Sequence, residues 1–394
     1  MASLLGYTII SISTAGWNLS RGTNIIDSVK PIELGEIRVH LIWFDSLGAK
    51  SSSVLLETPE VRILLDPGAA EMQPSYPLLP AQKKALREEA LEAIKKAARG
   101  AEVVFISHYH YDHHTLPQEA PEIYCDKVLW IKDPNRWINR SQWNRSRLFA
   151  EQLLEVLEGK KLEYASPEEE HFEDPLKQLP LASAKDFRDY QQRKKELLKK
   201  GRAWLRDLMA LWRREPWVPQ LTLGSKEILF ADGRSFHLGE TSIRITPPLF
   251  HGAEYDRVGW VVGLVLERRG KKVVYAPDLQ GPIIEDYAQW LIRENPDLLI
   301  LDGPPTYLLG YMLNLINLGR VIENISSILR NTETRIIIYD HHLLREARYR
   351  EHLARAYQVA KEEGKDLLTA AEWLGEEPLI DRLTGKCSST PIPR

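Results

Sequence analysis

Short apolar runs rich in β-branched residues recur along the chain, each closed by a turn or a polar cluster. Ile37 to Asp45, Ser53 to Thr58 and Val61 to Asp66 read as an opening strand meander, with Thr58-Pro59-Glu60 turning between the last two. Val103 to Ile106 and Lys127 to Lys132 continue the series. Pro80 to Arg99 changes period to that of an amphipathic helix, with proline at its start and Gly100 just past its end. From about Pro134 to Val218 strand patterning lapses, and Ala184 to Trp217 reads as one long amphipathic helix. Strands return from Glu227 to Tyr339, with helices expected at Ile283 to Glu294 and Thr306 to Leu329, and a closing helix at Arg345 to Glu363. The organisation expected is an N-terminal extension over 1–32, one domain built from 33–133 and 219–376, a helical insertion at 134–218, and a tail at 377–394.

One of these strands ends in unusual chemistry. Val103 to Ile106 runs directly into Ser107-His108-Tyr109-His110-Tyr111-Asp112-His113-His114, so His-x-His-x-Asp-His sits on a loop at a buried strand end. Imidazole nitrogens and carboxylate oxygens are the ligands that zinc, iron and manganese take from proteins. Alternate loop positions can face one ion while the adjacent Asp112-His113 pair faces another. A histidine-rich surface loop would not need this spacing. The chain is expected to bind metal.

The motif resembles that of the metallo-β-lactamase superfamily, and the remaining parts of that pattern follow in order. Thr241 to Thr246 is a strand followed by Pro247-Pro248-Leu249-Phe250-His251; Lys272 to Ala276 is followed by Pro277-Asp278; Arg335 to Tyr339 is followed by Asp340-His341-His342. The resemblance implies an α/β fold, the four-layered αββα sandwich, with the metals at one edge between two sheets and a mostly helical insertion between the first motif and His251. It assigns His108, His110 and His251 to one ion. Asp112, His113 and His341 (or His342) go to a second, with Asp278 bridging, and Asp112 and Asp278 counted as catalytic. Asp66 matches the early strand-end aspartate that supports the metal loop, since carboxylates behind the ligands orient imidazoles and raise their basicity. His114, and whichever of His341 and His342 is not a ligand, are expected behind the ligands. Two divalent ions are implied, zinc favoured, with iron or manganese as alternatives.

Within the superfamily, further strings resemble an uncharacterised, mainly archaeal branch of predicted metal-dependent hydrolases. They are Asn139-x-Ser141-Gln142, Ala231-Asp232-Gly233-Arg234, Asp278-Leu279-Gln280-Gly281-Pro282, Asp302-Gly303-Pro304-Pro305-Thr306-Tyr307 and Asp340-His341-His342-Leu343-Leu344-Arg345. Ala276-Pro277-Asp278 departs from the Ser-Asp expected there but keeps the ligand. The resemblance spans roughly Glu33 to Gly375 and brings no substrate with it.

Composition narrows the setting. The formal net charge of −3, from 52 Lys and Arg against 55 Asp and Glu, predicts no bulk attraction to nucleic acid. Two cysteines, Cys125 and Cys387, cannot form a disulfide framework and suit a reducing cytoplasm, with Cys125 read as a small buried residue. The apolar stretch Ser3 to Ser13 lacks a basic flank and is too short and polar to span a membrane, so a loosely packed extension is expected there.

The residues favour a hydrolase that uses a metal-bridging hydroxide on a phosphodiester, in a small molecule or in nucleic acid. The Asn139, Gln142 and Arg145 cluster carries groups that contact phosphate, although a helix cap and turn would use the same residues. Asp302, Tyr307 and Arg345 are further substrate-contact candidates, and Lys50 could meet an anion. The basic face from Arg193 to Arg206 reads as solvated, as nucleic-acid contact, or as a lid or homo-oligomer contact. A lactone or thioester hydrolase of small carboxylic substrates is the alternative, and a metal-binding sensor or scaffold without turnover is the other.

Overall fold

The computed structural model describes residues 31–385 apart from residue 225, together with the strand backbone Thr8–Ile9. Cys387, most of the expected N-terminal extension and the end of the expected tail lie outside the described residues.

Two eight-stranded sheets form the centre. One runs Ile32–Leu34, Ile37–Phe44, Ser52–Glu57, Arg62–Leu65, Val103–Ile106, Val128–Ile131, Lys226–Phe230 and Leu221–Leu223 in spatial order. The other runs Thr8–Ile9, Arg234–Leu238, Thr241–Ile245, Leu264–Arg268, Lys271–Ala276, Leu298–Asp302, Ile336–Asp340 and Asp366–Leu368. Alternation along each strand decides which core a side chain joins. Val103 and Phe105 enter the core between the sheets, with Ile63, Leu65, Ile243, Val273 and Ile300. Val104 and Ile106 enter the outer core instead, where Ala90, Ile94 and Ala98 of the helix Pro80–Ala98 also lie. Val274, Leu299 and Ile337 of the second sheet belong to that outer core together with Leu291, Val321 and Ile325 of the helices Glu285–Glu294 and Leu315–Asn331. Strands buried on both faces read as continuous apolar runs, which is how these four-to-six-residue stretches appear in the sequence. Trp130 and Phe236 stack between the sheets with ring centroids 3.9 Å apart. The result is the αββα sandwich that the resemblance implied.

Boundaries differ from expectation where tertiary contacts override local pattern. The stretch expected as a helix from Thr306 begins as a short 3-10 turn, Thr306–Leu308, and the α-helix starts only at Leu315, capped by the Asn314 side chain. The expected closing helix is broken into Leu343–Arg345, Tyr349–His352 and Ala354–Glu362, because Arg345 is drawn inward to a buried carboxylate. The insertion carries the helices Arg140–Glu158, Pro180–Ala184 and Gln191–Arg214, the last ending before Pro216, whose ring disfavours a helical residue ahead of it. Residues expected as a tail include the helix Leu379–Thr384, which buries Leu379, Ile380 and Asp381. Cys125 is exposed rather than buried, since it sits in the turn between Tyr124 and Asp126, where the backbone of Asp126 takes φ 56°.

Parallel neighbours place their carboxyl ends together. Arg62–Leu65 pairs in parallel with Val103–Ile106, and Lys271–Ala276, Leu298–Asp302 and Ile336–Asp340 are parallel in turn, with Asp302 opposite Asp340. The motifs that follow these parallel strands are therefore delivered to the same end of their sheets.

Candidate metal centre

Three loops from the two sheets converge on Asp278, just beyond Lys271–Ala276. Its Oδ2 lies 3.0 Å from Nε2 of His108, 3.0 Å from Nε2 of His251 and 3.2 Å from Nε2 of His113. His108 Nε2 is also 2.9 Å from Nδ1 of His110. On the other side, His341 Nε2 stands 3.2 Å from His113 Nε2, 3.5 Å from Asp278 Oδ1 and 3.6 Å from Asp112 Oδ2. His108, His110, His251 and Asp278 thus form one set of donors with metal-binding spacing, and His113, His341 and Asp278 a second sharing the aspartate. Asp112 groups with His341 and His342, and Asp302 with His342 and Asp278.

The donors fit a cation. His251 Nε2 and both carboxylate oxygens of Asp278 are buried without a hydrogen-bond partner. Burying a carboxylate is costly unless it is paired or coordinates a metal, so this pocket is built for positive charge. Burial would raise the Asp278 carboxyl, but the imidazoles of His113, His342, His251 and His108 hold it well below the usual range. Burial is the main cause that pushes His108 down to about 4, and burial lowers His110 strongly as well. Both are therefore neutral, as metal-binding imidazoles must be.

The far ring nitrogens are held from behind. Asp66 Oδ2 is 2.8 Å from His113 Nδ1, and Asp45 Oδ1 is 2.8 Å from His341 Nδ1. A carboxylate on Nδ1 fixes the tautomer that leaves Nε2 bare toward the centre. Asp66 also accepts from the Ser107 backbone and hydroxyl and from the Tyr275 hydroxyl. Gly68 lets that segment press on the metal loop, for a Cβ there would lie 2.3 Å from the His114 nitrogen and 2.4 Å from that of His113. His114 itself sits behind the loop, its Nδ1 2.9 Å from the His110 carbonyl, and burial lowers it to about 3.

Asp45 escaped the sequence reading. Buried just after Ile37–Phe44, it accepts from Ser51 N, His342 N and Arg345 Nε as well as binding His341. Its position at a strand end, like that of Asp66, was the available signal.

His341 and His342 both reach the centre. His341 faces His113 and Asp278, whereas His342, held at φ 55°, puts Nδ1 3.2 Å from Asp302 and 3.9 Å from Asp278. Asp302 accepts from the Gln280 backbone, and burial together with Asp278 raises its carboxyl well above the ordinary value. Arg345 is buried beside Asp112, with Tyr307 offering its hydroxyl 3.2 Å from Nη1. Lys50 lies among these charges, its ammonium pKa lowered by burial and by Arg345.

The side-chain polar atoms of Asn139 and Gln142 are taken up by contacts within the protein. The Asn139 carboxamide caps the helix Arg140–Glu158 and donates to the Arg257 carbonyl. Gln142 donates to the Val258 carbonyl and accepts from the Tyr109 backbone. Their polar atoms tie the insertion to the two loops that carry His110 and His251. Arg145 lies over the Tyr111 ring at 4.8 Å, on the outside of the same loop.

The fold and this centre define a metal-dependent hydrolase of the metallo-β-lactamase superfamily. A family model described as Beta-lactamase superfamily domain matches residues 47–318. A UPF0282 protein of Methanopyrus kandleri is 33% identical over 366 residues, covering 89% of this chain and 100% of the relative. One of Korarchaeum cryptofilum is 30% identical over 344 residues, covering 87% and 91%. The chain belongs to the UPF0282 family within that superfamily. Among solved structures, unliganded yeast PDE1 is similar over 85% of this chain and 96% of its own, at 10% identity and a TM-score of 0.40. The short form of human tRNase Z matches over 75% and 90%, at 12% identity and a TM-score of 0.31. No helix among the described residues is long and apolar enough to cross a membrane.

Proposed function

We propose that the chain is a binuclear hydrolase of phosphodiesters. One ion is assigned to His108, His110, His251 and Asp278, the other to Asp112, His113, His341 and the shared Asp278. Zinc is favoured by the imidazole-rich first set, with iron and manganese as the alternatives. Two divalent ions at such a pair of positions lower the pKa of water and polarise the scissile oxygen.

The observation that carries the reading is that both donor sets share one buried aspartate whose oxygens have no hydrogen-bond donor of their own. The chain's residues do the rest. Asp66 and Asp45 keep His113 and His341 in the tautomer that points Nε2 inward. Arg345 supplies fixed positive charge on the Asp112 side, which favours an anionic substrate such as a phosphodiester. Tyr307 and Asp302 are assigned to substrate contact there. Polynucleotides are the less favoured phosphodiester, because the formal net charge of −3 gives no bulk attraction to a polyanion.

A lactone or thioester hydrolase is the second reading. It draws on the apolar run just beyond Tyr307, where Tyr311, Met312 and Leu315 are exposed. Phosphodiester, lactone and thioester substrates compared at one metal load separate the two. Preferred turnover of bis(p-nitrophenyl) phosphate supports the first reading, and preferred turnover of a lactone or thioester replaces it with the second.

A further inference from the structure

The two metal positions are not equivalent, and the difference lies in Arg345. Around the first position, His108, His110, His251 and Asp278 make no hydrogen bond or ion pair with a lysine or arginine among the described residues. Around the second, Arg345 Nη2 sits 3.0 Å from Asp112 Oδ2 and 3.3 Å from His341 Nε2. Those are two of the atoms a second ion would use. Because His341 Nδ1 is held by Asp45, its Nε2 carries the bare lone pair, and a guanidinium N–H points at it.

Arg345 cannot step aside by losing its proton, since a guanidinium stays charged in proteins. Nor is it loosely placed. Its Nε is 2.6 Å from Asp45 Oδ2, its Nη1 is 3.2 Å from the Tyr307 hydroxyl, and the side chain is 5% exposed. Asp45 therefore holds, through its two oxygens, both the imidazole that would bind the ion and the cation that stands in its way.

We infer that Arg345 competes with the second ion for Asp112 and His341, so that the chain holds one ion tightly and the second weakly. This rests on the two-ion reading above and sets the order in which the positions fill. A second ion would need the Asp112 and His341 atoms that Nη2 contacts, whereas the Nε bond to Asp45 would not stand in its way. Arg345 thus acts on the second position as an internal counter-ion, and full loading depends on the free metal concentration.

The test is zinc binding by the full chain, followed by calorimetric titration and by metal content after dialysis against buffered zinc. The wild type is expected to retain one ion and to take a second only at a free zinc concentration about a hundredfold higher. Arg345→Met is expected to tighten the second ion by about tenfold or more while leaving the first unchanged, within the range that partners behind a metal site command. Arg345→Lys, which keeps the charge, is expected to preserve the gap. With manganese, the wild type at one equivalent should give the spectrum of an isolated ion and not that of a spin-coupled pair.

Two equally tight ions in the wild type would overturn the inference, as would weaker second-ion binding in Arg345→Met, the result of a purely positioning role. Should Arg345→Met fail to fold, the wild-type gap and its persistence in Arg345→Lys still decide. Zinc retained at neither position would overturn the metal reading itself, and this inference with it.

Discussion

The Asp66 carboxylate stands 2.8 Å from Nδ1 of His113, and both side chains are wholly buried. The same oxygen accepts from the Ser107 and Tyr275 hydroxyls at 2.6 and 2.7 Å, so His113 is aimed by a carboxylate that is itself fixed on several sides. Asp66→Asn keeps the shape and removes the charge. It is expected to weaken metal binding by about tenfold to a hundredfold. Competition against a chelator measures this, and an affinity equal to the wild type would mean that His113 is oriented by something else.

Gly68 makes a steric prediction at the same loop. A Cβ would meet the backbone of His113 and His114 rather than the end of a flexible side chain, so the loop itself must shift. Gly68→Ala is expected to lose metal while the fold persists, since the strands on either side are packed in the sheet core. Circular dichroism and metal content read together check this, and full metal content in the variant would show that the loop accommodates the methyl.

Asn139 is expected to matter for stability and not for substrate binding. Removing a helix cap costs about 1 kcal/mol, and the lost bond to the Arg257 carbonyl adds to it. Asn139→Ala should therefore lower the melting temperature by a few degrees and leave KM near the wild-type value. A KM raised severalfold at unchanged stability would return Asn139 to the substrate contacts.

Glu254 gives the fold an acid dependence. Burial opposes its charge, but Arg320 and Lys194 outweigh burial and hold the carboxyl at about 2, against an ordinary 4.5. A folded-state pKa below the unfolded one stabilises above the unfolded value, and that stability is lost as pH falls through the folded value. The contribution is therefore intact above pH 4.5 and drains away toward pH 2, on the order of 3 kcal/mol in all. Glu254→Gln should lose most of it at pH 7 and show a flatter profile between those limits. Urea unfolding at pH 7 and pH 3 decides, and parallel profiles for variant and wild type would contradict the assignment.

The ligand series was legible because each member follows a short apolar strand, and parallel pairing carries such strand ends to one edge. Val103 to Ile106 followed by His108, and Lys271–Ala276 followed by Asp278, needed only local pattern and order. Asp45 was not legible, because its role comes from contact with His341 across a sequence separation of 296. Asn139 and Gln142 were open to two readings, since cap residues and phosphate-binding residues are the same types. The broken closing helix was also out of reach, because Arg345 is pulled to Asp45 by burial and charge that no helical period encodes.

Metal-dependent phosphodiester hydrolysis is tested most directly by kcat/KM for bis(p-nitrophenyl) phosphate by protein loaded with excess zinc or manganese, beside Asp112→Ala. Turnover in the wild type that falls by at least about a hundredfold in the variant is the expected result, since a proposed ligand of the second ion should count for no less than the partners behind it. A fully loaded wild type that leaves the phosphodiester intact, or a variant that hydrolyses it as well as the wild type, would contradict a binuclear phosphodiesterase.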